Sequence, residues 1–277
     1  MTSIGTRIIT RGAKIGRCNV CGAHGPLTED HIPPKGVSRL GQVAMMHVTD
    51  LLSIRRPNKS TRYSQNGVKY RTLCKRCNNE RLGLGYDPAL IEFTRQVRSY
   101  LDSALYLPAQ MSFRTQPNRL VRCIAGHLLA QGVGEHRGGT MIEALTDYFL
   151  DEGQPFPPGL KLYYWLYPYT DQVIVKGAGL SLNYWKSFAV FMLLKFFPLS
   201  FLFVQDEPPE WQLPFARLDT LLSERIDDEA WLPVSFSDLP PQRWPEAPGD
   251  TGMILYGDGA VGATPVSSLS VQPDLRD

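Results

Sequence analysis

The residues best equipped for chemistry lie between Cys18 and Asn79. Cys18 and Cys21 form one Cys-x-x-Cys pair and Cys74 and Cys77 a second, a spacing that lets four thiolates converge tetrahedrally on one zinc ion. Four protein ligands close the coordination sphere, so that zinc is structural. Between the pairs stands Glu29-Asp30-His31, and Asn78-Asn79 follows the last cysteine directly. A carboxylate beside an imidazole, with an amide close by, supplies a hard metal ligand, a base and a second oxygen ligand. Hydrolysis of a phosphodiester needs that set. Glu29 and Asp30 are alternative ligands, because alternation along a strand turns only one of them toward the metal. His24 reads as an exposed loop residue, since four cysteines already complete the zinc site; His47, His127 and His136 stand in no comparable constellation.

These side chains need a scaffold, and the flanking residues predict one. Residues 1–17 form a lead-in with a short strand over 6–10. Cys18-Asn19-Val20-Cys21-Gly22 has the small residues of a zinc knuckle, and Gly25-Pro26 turns the chain into a strand over 27–32 that stops at Pro33-Pro34. Residues 70–73 return as a second strand, and a helix begins near Asn78. That places Asp30 and His31 at the edge of a hairpin. Residues 37–68 show no sustained periodicity and read as an insertion with a basic loop around Arg55 and Arg56. Asp87-Pro88 predicts a helix start, an N-cap residue followed by proline at the first helical position. Further helices are expected over 118–131, with Cys123 a buried thiol, and from Thr140, with Glu143 in capping-box register, to just before Gly153.

From Gly159 the texture changes. Residues 161–167 and 172–175 are rich in aromatic and β-branched types and read as antiparallel strands joined through Thr170-Asp171. Residues 187–204 form an apolar run as long as a membrane span, but Lys195 and Pro198 interrupt it. The reading is therefore a buried helix over 183–196 followed by a strand over 199–205, with no membrane partner. Beyond Gly257 the Gly, Ser and Pro content predicts a poorly ordered tail.

The 277 residues, 43% of them apolar, suffice for a large core without staples. Residues 1–16 contain no uninterrupted apolar segment, so no secretory signal is read and a cytoplasmic protein with reduced thiols is expected. The formal net charge of +2 conceals an asymmetry. Residues 1–86 carry 15 Lys and Arg against 4 Asp and Glu, and residues 87–277 carry 14 against 23, giving +11 and −9. A basic segment that also holds the metal-ligand pattern suits a polyanion, because neutralising phosphates releases counterions. Lys35, Arg55, Arg56, Lys75 and Arg76 are the candidate phosphate contacts. The acidic remainder offers no paired histidine or cysteine, so the candidate catalytic residues stop before Asp87.

Cys18-x-x-Cys21, then Leu27-Thr28-Glu29-Asp30-His31-Ile32-Pro33-Pro34-Lys35, then Leu73-Cys74-x-x-Cys77-Asn78-Asn79 together resemble the zinc-knuckle branch of the HNH endonuclease family. The resemblance covers about residues 17–87. It implies an N-terminal ββα-metal module with a four-cysteine zinc knuckle over 1–86; with the patterns read along the rest of the chain, the fold class expected is α+β, the module being followed by a helical segment over 87–158. A mixed region with antiparallel strands over 159–277 would serve targeting or interaction with a partner protein or a second copy. It also implies that Asp30 and Asn78 hold a catalytic Mg²⁺ or Mn²⁺ and that His31 is the general base. The substrate would be nucleic acid, DNA first and RNA as an alternative, and the rival reading is a zinc-stabilised binding or adaptor module without turnover. Lys69 stands where relatives carry an asparagine, and the stretch from His31 to Cys74 is longer than in compact members. Nucleases fused to a sensor or specificity domain are common among bacterial defence and mobile-element proteins, which places such a role here by analogy.

Overall fold

A computed structural model describes residues 8–37, 41–52, 61–134, 138–182, 187–211, 213–237, 239–247, 252–256 and 259–266. The fold is α+β and its sheets are antiparallel. In chain order the elements are β1 (Ile15–Arg17), β2 (His24–His31), β3 (Val43–His47), α1 (Val48–Leu52), β4 (Arg62–Ser64) and β5 (Lys69–Cys74). A π-helical stretch, Arg76–Tyr86, runs without a break into α2 (Asp87–Ser103), followed by β6 (Gln110–Thr115), α3 (Pro117–Ala130) and α4 (Thr140–Leu150). The last part holds β7 (Leu160–Leu166), β8 (Gln172–Leu182), β9 (Ala189–Phe196), β10 (Leu199–Gln205), β11 (Ala216–Arg217), β12 (Ala230–Ser235), β13 (Gly252–Tyr256) and β14 (Ala260–Pro265).

Helix α3 is the centre of the molecule. Every residue of Pro117–Ala130 except Arg119 is buried, the signature of a helix covered on all sides. It lies between a small sheet, β1-β2-β5, and a nine-stranded sheet ordered β11-β7-β10-β9-β8-β14-β3-β4, with β13 also paired to β8. Its C-terminal carbonyls are claimed from both sides. Asn19 Nδ2 donates to Gly132 O at 2.8 Å and Thr72 Oγ1 to Ala130 O at 2.5 Å, while Lys176 Nζ donates to Leu129 O and Gln131 O from the large sheet. One hydrophobic cluster accordingly joins residues from Ile8 to Ala263.

Gly126 allows the tightest approach to α3. A methyl group there would lie 2.4 Å from Phe149 Cε2 and 2.7 Å from Leu82 Cδ2, well inside contact distance. Gly126→Ala should therefore destabilise the protein by about 1–3 kcal/mol through overpacking, despite the better helix propensity of alanine. Urea unfolding measures this, and an unchanged midpoint would mean that α4 and the π-helical stretch do not clasp α3 as described.

Several expectations need correction. The apolar run over 187–204 is the β9–β10 hairpin, not a helix followed by a strand. Met192, Leu194 and Phe196 join the cluster around α3, whereas Phe191 and Leu193 join a second cluster with Trp211 and Val48. A strand buried on both faces reads as continuous apolar sequence and loses its alternation. Lys195 is tolerated because its ammonium, fully buried, donates to Glu246 at 2.7 Å and to the carbonyls of Gln242 and Trp244. Strands β7 and β8 exist but do not pair. Strands β9 and β10 lie between them in a Greek-key order.

Residues 37–68 are more than a loop, since β3 and β4 form one end of the large sheet. Strand β14, in the expected tail, pairs with both β8 and β3. Its small residues are what mislead: Gly262 lies so close to Leu51 that a Cβ would come within 2.5 Å of it, which lets α1 pack on the strand. The expected strand over 6–10 falls partly outside the described residues, and residues 8–10 are not strand. Helix α4 begins at Thr140, but Gly139 is its N-cap and Glu143 makes no capping box. Among the described residues no helix is long and apolar enough to cross a membrane.

Candidate functional site

The four cysteines come together. Cys18 follows β1, Cys21 sits in the tight turn closed by Gly22 N–H to Cys18 O, Cys74 ends β5 and Cys77 opens the π-helical stretch. Their sulfurs lie within 4.8 Å of one another, and Cys21 Sγ is 3.7 Å from Cys74 Sγ. Zinc–sulfur bonds of about 2.3 Å in a tetrahedron put the sulfurs about 3.8 Å apart, so this cluster could hold a zinc ion. Cysteine-to-serine replacement at Cys74 should reduce bound zinc from one ion per chain to none and lower stability, read by metal analysis and thermal melting. Zinc retained at one ion per chain would contradict this assignment.

The hairpin beside the cluster carries the acidic-histidine pair. Strands β2 and β5 pair from Leu27↔Cys74 to His31↔Lys69, and the register shifts between Thr28 and Glu29. Asn78 serves this irregularity: its Nδ2 donates to Thr28 Oγ1 at 2.8 Å and to Glu29 O at 3.1 Å, where a bulge disrupts the ladder. With its nitrogen committed, Asn78 keeps Oδ1 as an acceptor with no partner among the described residues.

Asp30, His31 and Asn78 all line one cleft of about 830 Å³, together with Glu29, Lys35, Lys75, Asn79, Glu80 and Asp87. Lys35, Lys75 and Arg76 are exposed. Arg76 does not line the cleft, and Arg55 and Arg56 lie outside the described residues. The Glu29 carboxylate is held among Arg71 at 2.9 Å, Arg11 at 3.2 Å and Lys69 at 3.9 Å, so it is spoken for by cations. His31 is half-buried. Burial, reinforced by Lys35 and Lys69, holds its imidazole down at about 4, so near neutral pH the ring is uncharged and can accept a proton.

Asp30 is only 4% exposed and points at α3, where its Oδ2 lies 2.9 Å from His127 Nδ1. His127 Nε2 is in turn 3.0 Å from Asp87 Oδ1, and Cys123 Sγ donates to the same Asp87 oxygen at 3.3 Å. Burial opposes a charge on the His127 ring, but the two carboxylates outweigh it and hold the imidazole well above its ordinary range. This corrects two expectations. His127 does belong to a constellation, and Asp87 is not a helix N-cap: its backbone is helical and its N–H donates to Leu82 O, five residues back.

That i→i−5 register explains why Asp87 reaches the cleft. Each turn of the π-helical stretch takes more than four residues, so Asn78, Gly83 and Asp87 fall on one face, and Ile91 continues it one α turn later. At ordinary helical spacing, residues nine apart point in opposite directions. Reading helical periodicity from sequence therefore separates the two side chains that the structure unites. One signal was available: Cys123 and His127 stand four apart and share a face of α3.

Asp87, Cys123 and His127 also place their donor atoms within 4.8 Å of one another, the spacing of a metal site. Hydrogen bonds among them and to Asp30 already engage both His127 nitrogens, the Cys123 thiol and Asp87 Oδ1. Compared with protein-family models, with curated proteins and with solved structures, the chain matches none.

Proposed function

We propose that this protein is a metal-dependent endonuclease of the HNH type that hydrolyses phosphodiester bonds in DNA, with RNA the alternative substrate. The observation that carries this reading is that Asp30, His31 and Asn78, 48 sequence positions apart at the extremes, line one open cleft. The hairpin of β2 and β5, followed by the helical stretch with the cysteine cluster at its base, supports a ββα-metal arrangement. Asp30 and Asn78 Oδ1 are hard oxygen donors suited to Mg²⁺ or Mn²⁺, and such an ion would stabilise the charge that grows on the phosphate and leaving oxygen. His31, neutral near pH 7, takes the proton of the attacking water. Lys35 and Lys75, exposed at the cleft, hold the flanking phosphates, and Glu29 keeps its three cations gathered beside β2.

The burial of Asp30 and its hydrogen bond to His127 favour one rival, a zinc-stabilised nucleic-acid-binding module in which Asp30 serves only the core. Supercoiled plasmid, linear DNA and RNA incubated with the full chain in Mg²⁺ or Mn²⁺, with and without EDTA, separate the two. The nuclease reading predicts metal-dependent nicking abolished by EDTA. Binding without cleavage of any of these substrates would leave the rival standing.

A further inference from the structure

We infer that His127 is a positioning residue for the cleft, a buried strut that fixes Asp30 and is itself fixed by Asp87; this rests on the metal-dependent reading of the cleft. Both ring nitrogens of His127 lie within hydrogen-bond distance of a carboxylate oxygen, Nδ1 at 2.9 Å from Asp30 Oδ2 and Nε2 at 3.0 Å from Asp87 Oδ1. The ring, carried by α3, is completely buried, so no water competes for either partner. Asp30 and Asp87 both line the cleft, yet they come from different elements: Asp30 from the bulged strand β2 and Asp87 from the first position of α2, where the π-helical stretch ends. His127, from a third element, sets the distance between them.

The consequence for Asp30 is specific. Its Oδ2 is occupied by the His127 ring, so its carboxylate is not free to rotate and present either oxygen. A ligand side chain oriented by a hydrogen-bonded neighbour binds its ion better than a free one, and loss of such a neighbour typically costs about 10–100-fold in metal affinity or activity. Asp87 acts one step further out by holding the ring, and Cys123 donates to Asp87 from the next turn of α3. The charged groups facing His127 are Asp30 from β2 and Asp87 from α2, and the thiol of Cys123 lies on its own helix. The route from cleft to strut therefore runs through the half of the chain whose composition is acidic and whose residues carry no motif.

The test measures Mn²⁺ binding to the zinc-loaded full chain by calorimetry, beside the Mn²⁺ concentration that half-saturates cleavage. Mn²⁺ prefers oxygen donors and leaves the thiolate cluster to zinc. The variants are His127→Gln and Asp87→Asn, the second nearly isosteric, part-exposed and chosen to keep the fold. Both should weaken Mn²⁺ binding and raise the half-saturating concentration by about 10–100-fold while one zinc per chain is retained and the melting transition stays cooperative. A merely structural role would lower stability without moving the Mn²⁺ affinity of the folded protein. Wild-type protein that binds Mn²⁺, with a zinc-loaded Asp87→Asn variant binding it within twofold as tightly, overturns the inference and leaves the nuclease reading intact. Wild-type protein that binds no Mn²⁺ overturns the nuclease reading itself. Two zinc ions per wild-type chain, falling to one in Cys123→Ala, would make Asp87, Cys123 and His127 a metal site and also overturn the inference.

Discussion

Replacing His31 with alanine is expected to lower the rate of plasmid nicking by about 10²–10⁴-fold, the usual contribution of a positioned general base, while bound zinc and DNA affinity stay within a few-fold of wild type. The side chain is half-buried and no hydrogen bond to it is seen among the described residues, so its removal leaves a small void and orphans no polar partner among them. The sign of its pH dependence follows from the ring being held at about 4: the neutral, proton-accepting form persists as pH falls from 7 and is lost only as pH nears about 4. The acid limb of the wild-type rate should thus lie well below the pKa of a free histidine. An acid limb at about 6.5, or full activity of the alanine variant, would remove His31 from the base role.

The second large effect concerns truncation. From the sequence alone, a chain ending at Tyr86 is expected to keep zinc and nucleic-acid binding, because every motif lies before that point. The packing of α3 changes the expected result. Such a chain lacks His127 against Asp30, the partners of Asn19 and Thr72 at the end of α3, and the apolar cover of Leu73, Leu82 and Tyr86, all buried here. Removing the partner of one buried charge alone costs about 3–5 kcal/mol, a large share of the 5–15 kcal/mol by which domains are stable. The truncated chain should therefore be unfolded or molten even with zinc present, with no cleavage at any Mn²⁺ concentration. Dispersed amide resonances and cooperative melting of that fragment would show that residues 1–86 stand alone.

How much was legible in the sequence depends on whether the signal was local. The two cysteine pairs, the Glu29-Asp30-His31 element and Asn78 stand out in the sequence because their spacing is short and their chemistry distinctive, and the structure brings them into one cysteine cluster and one cleft. Helices α3 and α4 were found because apolar periodicity and proline or glycine boundaries mark them. The β9–β10 hairpin was misread because both its faces are buried, and β14 because small residues that serve close packing look like those of a loose tail. Asp87 was misread because an aspartate before proline is a strong N-cap signal, and the π register that turns it into the cleft leaves no local mark. His127 was passed over because its partners lie 97 and 40 positions away.

The central claim is that the cleft holds a divalent ion between Asp30 and Asn78, next to His31. Crystals of the full chain grown with Mn²⁺ and measured at the manganese and zinc absorption edges test it most directly. The account predicts a zinc peak among Cys18, Cys21, Cys74 and Cys77, and a separate manganese peak within about 2.0–2.4 Å of an Asp30 carboxylate oxygen and Asn78 Oδ1. A manganese peak elsewhere, or a cleft without one at saturating Mn²⁺ while the zinc peak is present, would contradict it.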